Sequence, residues 1–373
     1  MSLETEYAGL ILKNPILVAA GPWSRNGGAI QRAIDAGAAA VVTQTITLEA
    51  TPSPSPRLFL GARPGQMFNT MLYSEMQLEQ WEQDFEGLRR GDCRIIASIW
   101  GSSPSELGYL AGKVERMGAD AVEVSISAPL GTRNETVNSY PKEIRGYLRA
   151  AVEAVEIPVI VKLSYEAAGS RSFMEALAQA GVAGVTAIDS LKGLRGVDLE
   201  TCRAGMPTYG GYSGAAIRPV ALAAVATLRQ LTDLPVCGCG GVGTAEDALE
   251  FLMLGACGVQ AASGLLREGY GLIPRILGEL ERWLEAHGRR SVREITGLAL
   301  DSLRPFEEIS PRPLAARLTG TCDGCGQCVP GCLYDALECG GGALTVDPAR
   351  CTGCGLCVER CPRGALELGW EEL

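Results

Sequence analysis

The sequence predicts an α/β protein: a (β/α)8 TIM barrel over residues 1–290, a linker over 291–319 and a small cysteine-rich domain over 320–373. Three observations predict it. Short β-branched runs alternate with helical stretches through the first 290 residues. Most of those runs are apolar from end to end, as strands buried on both faces are. Nine of the 14 cysteines crowd into the last 52 residues, eight of them in two runs of the same spacing.

The 373-residue length suits one large domain and one small one. Hydrophobic residues make up 47% of the chain, enough for a sizeable core. A net charge of −10 gives no general attraction to nucleic acid or anionic membranes. The opening stretch MSLETEYAGLILKNP lacks a basic segment followed by a long apolar run, so no signal peptide is expected. No window reaches the roughly 18 apolar residues of a membrane span. A cytoplasmic protein is expected. A single histidine, His287, weighs against His-based metal sites and Ser–His–Asp catalysis. Cysteines in such a chain suggest metal ligation before disulfides.

The expected strands are 15–20, 40–45, 94–99, 121–126, 158–163, 184–188, 235–237 and 258–261. Helices are expected at 29–36, 106–117, 142–155, 173–180, 220–231, 245–254 and 272–286. Gly37, Gly118, Gly181 and Gly255 follow four of them, as helix-ending glycines do. Eight such units match a closed barrel better than a doubly wound sheet. A dinucleotide-binding reading needs G-x-G-x-x-G after the first strand, and that turn reads AAGPWSRNGG. The GCGGVG at 238–243 comes too late in the chain.

Barrel active sites lie at the C-terminal ends of the strands. The residues there are 19–21, 43–45, 125–129, Lys162, Asp189 with Ser190, Gly240 with Gly241, and 262–264. The last two groups lie where barrels commonly hold a phosphate on backbone N–H groups. The plainer reading of those glycines is a tight turn.

The small domain is read from cysteine spacing. Cys322, Cys325, Cys328 and Cys332 form a C-x2-C-x2-C-x3-C run; Cys351, Cys354, Cys357 and Cys361 repeat it, with Pro362 after the last. Three thiolates on a tight loop meet three irons of a [4Fe–4S] cubane, and the fourth reaches the other cluster. One cluster would use Cys322, Cys325, Cys328 and Cys361; the second would use Cys351, Cys354, Cys357 and Cys332. Zinc knuckles would leave the fourth cysteine of each run badly placed. The domain resembles a bacterial two-cluster ferredoxin. Cys93, Cys202, Cys237, Cys239, Cys257 and Cys339 are expected to be small core hydrophobes.

PTYGGYSGAAIRPVAL at 207–222, ASIW at 97–100, GADAVEVSISAP at 118–129, VKLS at 161–164, CGGV at 239–242 and GLL at 264–266 carry a further likeness. With them the chain resembles the dihydroorotate dehydrogenase family, and within it the FMN and ferredoxin portion of the dihydropyrimidine dehydrogenases. The resemblance implies FMN contacts at Ala20, Gly21, Thr43, Lys162, Ser213, Gly214, Gly241, Ser263 and Gly264, with Gly240 in the same turn. Lys162 would set a cation against the N1 and O2 edge of the flavin, where it favours the anionic reduced form. The plainer reading of Lys162 is a structural ion pair at the barrel mouth.

Several positions depart from the family pattern. The family carries Asn-x-Ser-Cys-Pro, or Ser for Cys, after the fourth strand; here Ser125, Ser127, Ala128 and Pro129 stand there. Ala128 occupies the position of the proton-transferring residue, and alanine transfers no proton. Asp189-Ser190 replaces Asn-Thr or Asn-Ser, setting an acceptor-only carboxylate in place of an amide. Gln44 replaces a lysine against the flavin; Asn69 remains in the substrate loop, but Met71 stands where pyrimidine reductases carry Glu. An unpaired buried polar group of a substrate costs ~1–3 kcal/mol. A lost general acid or base costs ~10²–10⁴ in rate. A retained cofactor shell with a rewritten substrate shell implies flavin chemistry on a different small molecule, with Asn69, Ser125, Asp189 and Ser190 around it.

Ser127 is the hydroxyl nearest the lost base; Tyr73, Tyr140, Asp189 and Glu123 are further proton carriers, and Arg133 could clamp an anionic group. Catalysis would rest on Ser127, Asp189 and Lys162. Strand parity puts Glu123 on the same face as Ser125, with an ion pair to Lys162 as its plainer role. The expected reaction is two-electron chemistry at a CH–CH or conjugated C=C bond, with clusters exchanging electrons with an NAD(P)H-oxidising flavoprotein subunit or a ferredoxin. A homodimer is expected from the resemblance, and 291–319, with Pro305, Pro311 and Pro313, is long enough for such a reach. The competing readings are an electron-relay subunit with no organic substrate, and a barrel that has lost FMN.

Overall fold

The structure, a computed structural model, describes residues 1–50, 52–53, 55–126, 141–309 and 314–369. The chain forms two compact units, Met1–Asp301 and Ser302–Leu373.

In the first unit eight parallel strands close into a barrel. They are β1 (Ile16–Val18), β2 (Ala40–Val42), β3 (Arg94–Ile99), β4 (Ala121–Ser125), β5 (Val159–Leu163), β6 (Gly184–Ala187), β7 (Val236–Cys239) and β8 (Gly258–Ala261). The ring closes where β8 pairs with β1, Val259 opposite Ile16. Because side chains alternate along a strand, each strand has one face toward the helices and one toward the barrel axis. Val122, Val124, Val161, Leu163, Val185 and Val259 join the outer core beneath the helices. Leu17, Ala40, Ile96, Ala121, Ile160 and Cys237 form a second, interior core. An antiparallel hairpin, Thr5–Tyr7 with Leu10–Leu12, adds Tyr7, Leu10 and Leu12 to that interior core.

β7 runs two residues past its expected end at 237. Gly238 lies within the strand, and a Cβ there would meet the Phe251 ring at 2.5 Å. Phe251 belongs to the helix Ala245–Met253, so the glycine permits close helix–strand packing rather than a break. The helix Leu78–Glu86 adds to the expected ones; it buries Leu78, Trp81 and Phe85 on one face. The first unit also continues beyond residue 290, since Val292 and Ile295 are buried in the outer core.

Two long connections build a lid. Leu58–Leu60 and Met67–Asn69 follow β2, and Leu191–Gly193 and Gly210–Ser213 follow β6. They pair antiparallel in the order Leu191–Gly193, Gly210–Ser213, Met67–Asn69, Leu58–Leu60.

In the second unit, Leu337–Gly340 and Ala343–Val346 form a hairpin, and Arg317–Leu318 pairs with Leu366–Glu367. A small core of Ala316, Cys328, Leu337, Leu344, Leu366 and Leu368 holds it. Of the six cysteines outside the two runs, Cys93, Cys237 and Cys239 are buried and Cys257 is half-buried. Cys202 and Cys339 are exposed, contrary to expectation. Cys202 lies at a turn with φ +55°, and Cys339 lies on the two-stranded hairpin. No helix among the described residues is long and apolar enough to cross a membrane.

Leu12 is fully buried in the interior core. Leu12→Ala should therefore cost ~2–5 kcal/mol, because the closed barrel cannot collapse around the hole. A urea midpoint unchanged from wild type would contradict that placement.

Candidate functional site

A cavity opens at the C-terminal ends of the barrel strands, under the four-stranded sheet. Its empty space, counted to the open mouth, is about 1480 Å³. Ala20, Gly21, Gln44, Asn69, Ser125, Lys162, Asp189, Ser190, Ser213, Gly240, Gly241 and Ser263 all line it. Thr43, Gly214 and Gly264 lie outside the lining. Thr43 is fully buried, and its Oγ1 accepts the Ser98 backbone N–H at 3.0 Å. Ser127, Ala128, Arg133 and Tyr140 lie outside the described residues.

Lys162 is buried at the end of β5 with its side chain on the inward face. It donates from Nζ to Gln260 Oε1 at 2.7 Å. Burial alone would pull its pKa down; the Cys239, Glu123 and Asp189 side chains outweigh that and hold it above the ordinary lysine value. Lys162 is therefore an ammonium facing the cavity. The direct Lys162–Glu123 ion pair considered from sequence is replaced by a bridge. Gln260 Nε2 donates to Glu123 Oε2 at 2.8 Å, and Thr186 Oγ1 donates to the same oxygen at 2.8 Å. Glu123 and Ser125 both line the cavity, as their shared parity on β4 requires.

Gly240 and Gly241 leave the turn after β7 without side chains where it lines the cavity. Gly241 has φ +76°, and a Cβ there would lie 2.9 Å from Arg218 Cβ and from the Gly214 carbonyl oxygen. A Cβ on Gly240 would lie 2.6 Å from Ala221. Asp247 anchors the turn by accepting the Gly243 and Thr244 N–H groups at 2.8 and 2.9 Å, and Arg218 pairs with Asp247 in turn. Bare backbone beside a buried ammonium fits a planar phosphorylated cofactor such as FMN.

Across the cavity, Asn69 is already engaged: its Nδ2 faces the Gly211 carbonyl at 3.4 Å and its Oδ1 accepts the Met71 N–H at 3.2 Å. Gln44 donates to the Tyr73 carbonyl at 3.3 Å. Asp189 accepts its neighbour's N–H, Ser190 N to Oδ1 at 2.8 Å, and the residue lines the cavity. The Tyr73 hydroxyl is buried and has no hydrogen-bond partner among the described residues. Burial, and then the Asp189 carboxylate, push its pKa well above the tyrosine range.

Sequence reasoning passes over Trp23, Cys239 and Gln260. Trp23 and Cys239 line the cavity, and Gln260 holds Lys162 from below. Gln260 is legible as the one polar residue of the strand GVQA. Cys239 is legible from its parity with Cys237 along the strand VCGC.

In the second unit the eight run cysteines line two small cavities. Cys322, Cys325, Cys328 and Cys361 line one. Cys332, Cys351, Cys354 and Cys357 line the other. The last thiol of each run thus faces the other run's first three. Backbone N–H groups point at four of the sulfurs: Gly324 at Cys322, Ala336 at Cys332, Ala316 at Cys351 and Ala365 at Cys361, at 3.3–3.5 Å. Among the described residues no three His, Cys, Asp or Glu side chains converge tightly enough for a single metal ion.

Comparison with known proteins agrees with both units. A profile of the dihydroorotate dehydrogenases matches residues 2–284, and one of the 4Fe–4S binding domain matches residues 344–367. The chain is 32% identical over 301 residues to the catalytic subunit of dihydroorotate dehydrogenase B (NAD(+)) of Pyrococcus furiosus, covering 80% of this chain and 99% of that protein. It is 31% identical over 303 residues to the same subunit of Methanocaldococcus jannaschii, covering 80% and 98%. It is 30% identical over 353 residues to a subunit of the NAD-dependent dihydropyrimidine dehydrogenase of Escherichia coli strain K12, covering 89% and 85%.

Tyr7 and Tyr73 both have pKa values raised by burial. Unfolded, they would ionise near pH ~10. Above that pH the unfolded chain binds fewer protons than the folded one, so stability should fall as pH rises through the alkaline range. An ultraviolet phenolate titration should show Tyr73→Phe keeping the full amplitude of the ordinary tyrosine step and losing amplitude only on unfolding.

Proposed function

The chain belongs to the dihydroorotate dehydrogenase family, and from that premise we propose that it is an FMN- and iron–sulfur-dependent oxidoreductase acting on a CH–CH or conjugated C=C bond of a substrate other than a dihydropyrimidine. Electrons are exchanged with an external partner, an NAD(P)H-oxidising flavoprotein or a ferredoxin, by way of two [4Fe–4S] clusters. The observation that carries the reading is the cavity in which buried Lys162 and the bare Gly240–Gly241 turn face Asp189, Ser190 and Ser125. Bound FMN supplies a centre that accepts a hydride and releases single electrons.

The chain's own residues divide the work. Lys162 favours negative charge on the isoalloxazine edge. Gly240, Gly241 and Ser263 hold the phosphate, with Ala20, Gly21, Gln44 and Ser213 along the rest of the cofactor and Thr43, Gly214 and Gly264 backing them. Asp189 would offer a carboxylate oxygen to the substrate and would take up or return the substrate's proton. Tyr73 is a poorer acid than a free tyrosine, because burial and Asp189 both disfavour its phenolate. It orients the substrate as a hydrogen-bond donor instead. The two four-thiol cavities support two clusters, since each gathers the donor set of one cubane.

Anaerobically prepared protein should contain FMN and two clusters' worth of iron and acid-labile sulfide. Cys325→Ser and Cys354→Ser should each remove iron from one cluster, and Lys162→Met should weaken FMN binding about tenfold to a hundredfold, the worth of a lost charged hydrogen bond. Bound zinc or an absent flavin would sink the assignment. Reduction of artificial acceptors without turnover of any small molecule would favour the electron-relay reading instead.

A further inference from the structure

The barrel interior holds more polar chemistry than a packed core needs. Glu123, Thr186 and Gln260 are all buried there, on three different strands. Glu123 Oε2 accepts from Thr186 and from Gln260, each at 2.8 Å, and the Tyr7 hydroxyl sits 3.1 Å from Thr186 Oγ1. Gln260 passes the contact on to Lys162 Nζ at 2.7 Å. A carboxylate taken out of water is costly unless hydrogen bonds and an opposite charge compensate it. Here the compensating charge is one side chain away.

The Gln260 amide has no freedom in this position. A carboxylate only accepts and an ammonium only donates. A reversed amide would set its NH2 against Lys162 and its carbonyl against Glu123, two repulsions in place of two bonds. Glu123 therefore dictates which way Gln260 points, and Gln260 dictates where the ammonium stands.

We propose that Glu123 and Gln260 are positioning residues that set the electron affinity of the flavin through Lys162, Glu123 by offsetting the ammonium's charge and Gln260 by holding the ammonium at the cavity. The proposal rests on the FMN reading above. It has a signed consequence. Glu123→Gln keeps the shape and an acceptor but deletes the offsetting charge, so the field of Lys162 at the cavity grows. Gln260→Leu removes the spacer, so Lys162 turns down to pair with Glu123 and its field at the cavity shrinks.

Sulfite binding and the two-electron potential of the holoprotein both report the flavin's electron affinity without any substrate. In Glu123→Gln, sulfite should bind about tenfold tighter, and the potential should rise by the equivalent of about 30 mV for a two-electron couple. In Gln260→Leu both should move the opposite way. Variants that hold FMN with unchanged sulfite affinity, or that move in the same direction, would overturn the proposal, because a merely structural network gives no opposed signs. If Glu123→Gln does not fold, Gln260→Leu alone decides: weaker sulfite binding supports the proposal and unchanged binding refutes it. Wild-type protein that binds no FMN would bring down the underlying reading, and the proposal with it.

Discussion

A cation buried in a closed barrel is the constraint on which the rest of the first unit turns. Lys162 sits on a strand, VIVKL, whose every residue is buried. An ammonium there would lose its proton unless something held it. The holding groups come from distant parts of the sequence: Gln260 from β8, Glu123 from β4, Cys239 from β7 and Asp189 just past β6. Only barrel closure brings them to one layer. Below that layer the interior is apolar, and the hairpin residues Tyr7, Leu10 and Leu12 are part of it. Above it lies the cavity. The network is thus the boundary between the packed half of the barrel and the half that does chemistry.

Much of this is legible in the order of the residues alone. The eight strands announce themselves because strands covered on both faces are apolar throughout, and Lys162 stands out as a charge ending such a run. Parity on β4 puts Glu123 beside Ser125. The remainder depends on contacts that no local pattern encodes. The four-stranded sheet over the cavity joins two connections more than a hundred residues apart, and its strands are only three or four residues long. Gln260 reads as one polar residue in a short strand; its importance lies in bonds to residues 98 and 137 positions away. Cys239 reads as a packing residue because small thiols usually are, yet its place on the inner face of β7 sets it in the cavity wall.

The thiol-lined cavities show the same division between local and non-local information. Spacing within a run states that three thiols share a loop. It does not state where the fourth goes; that requires the polypeptide to cross over. In the second unit Cys361 joins the cavity of Cys322, Cys325 and Cys328, while Cys332 joins that of Cys351, Cys354 and Cys357. Each cavity is then closed by residues from both runs, so neither half of the unit can complete a site alone.

The two sides of the barrel cavity differ in what fixes them. The cofactor side is built from strand ends and from a turn clamped by Asp247 and Arg218. A side chain added at Gly240 or Gly241 meets neighbouring atoms at 2.6–2.9 Å, so change there disturbs the barrel itself. The facing side is carried by Asp189, Ser190, Tyr73 and the short lid strands, which pair with one another. Residues there can be exchanged without unpairing the core. The Asp189 carboxylate, which helps keep Lys162 charged, and the Tyr73 phenol, with no partner among the described residues, are left facing what enters the cavity.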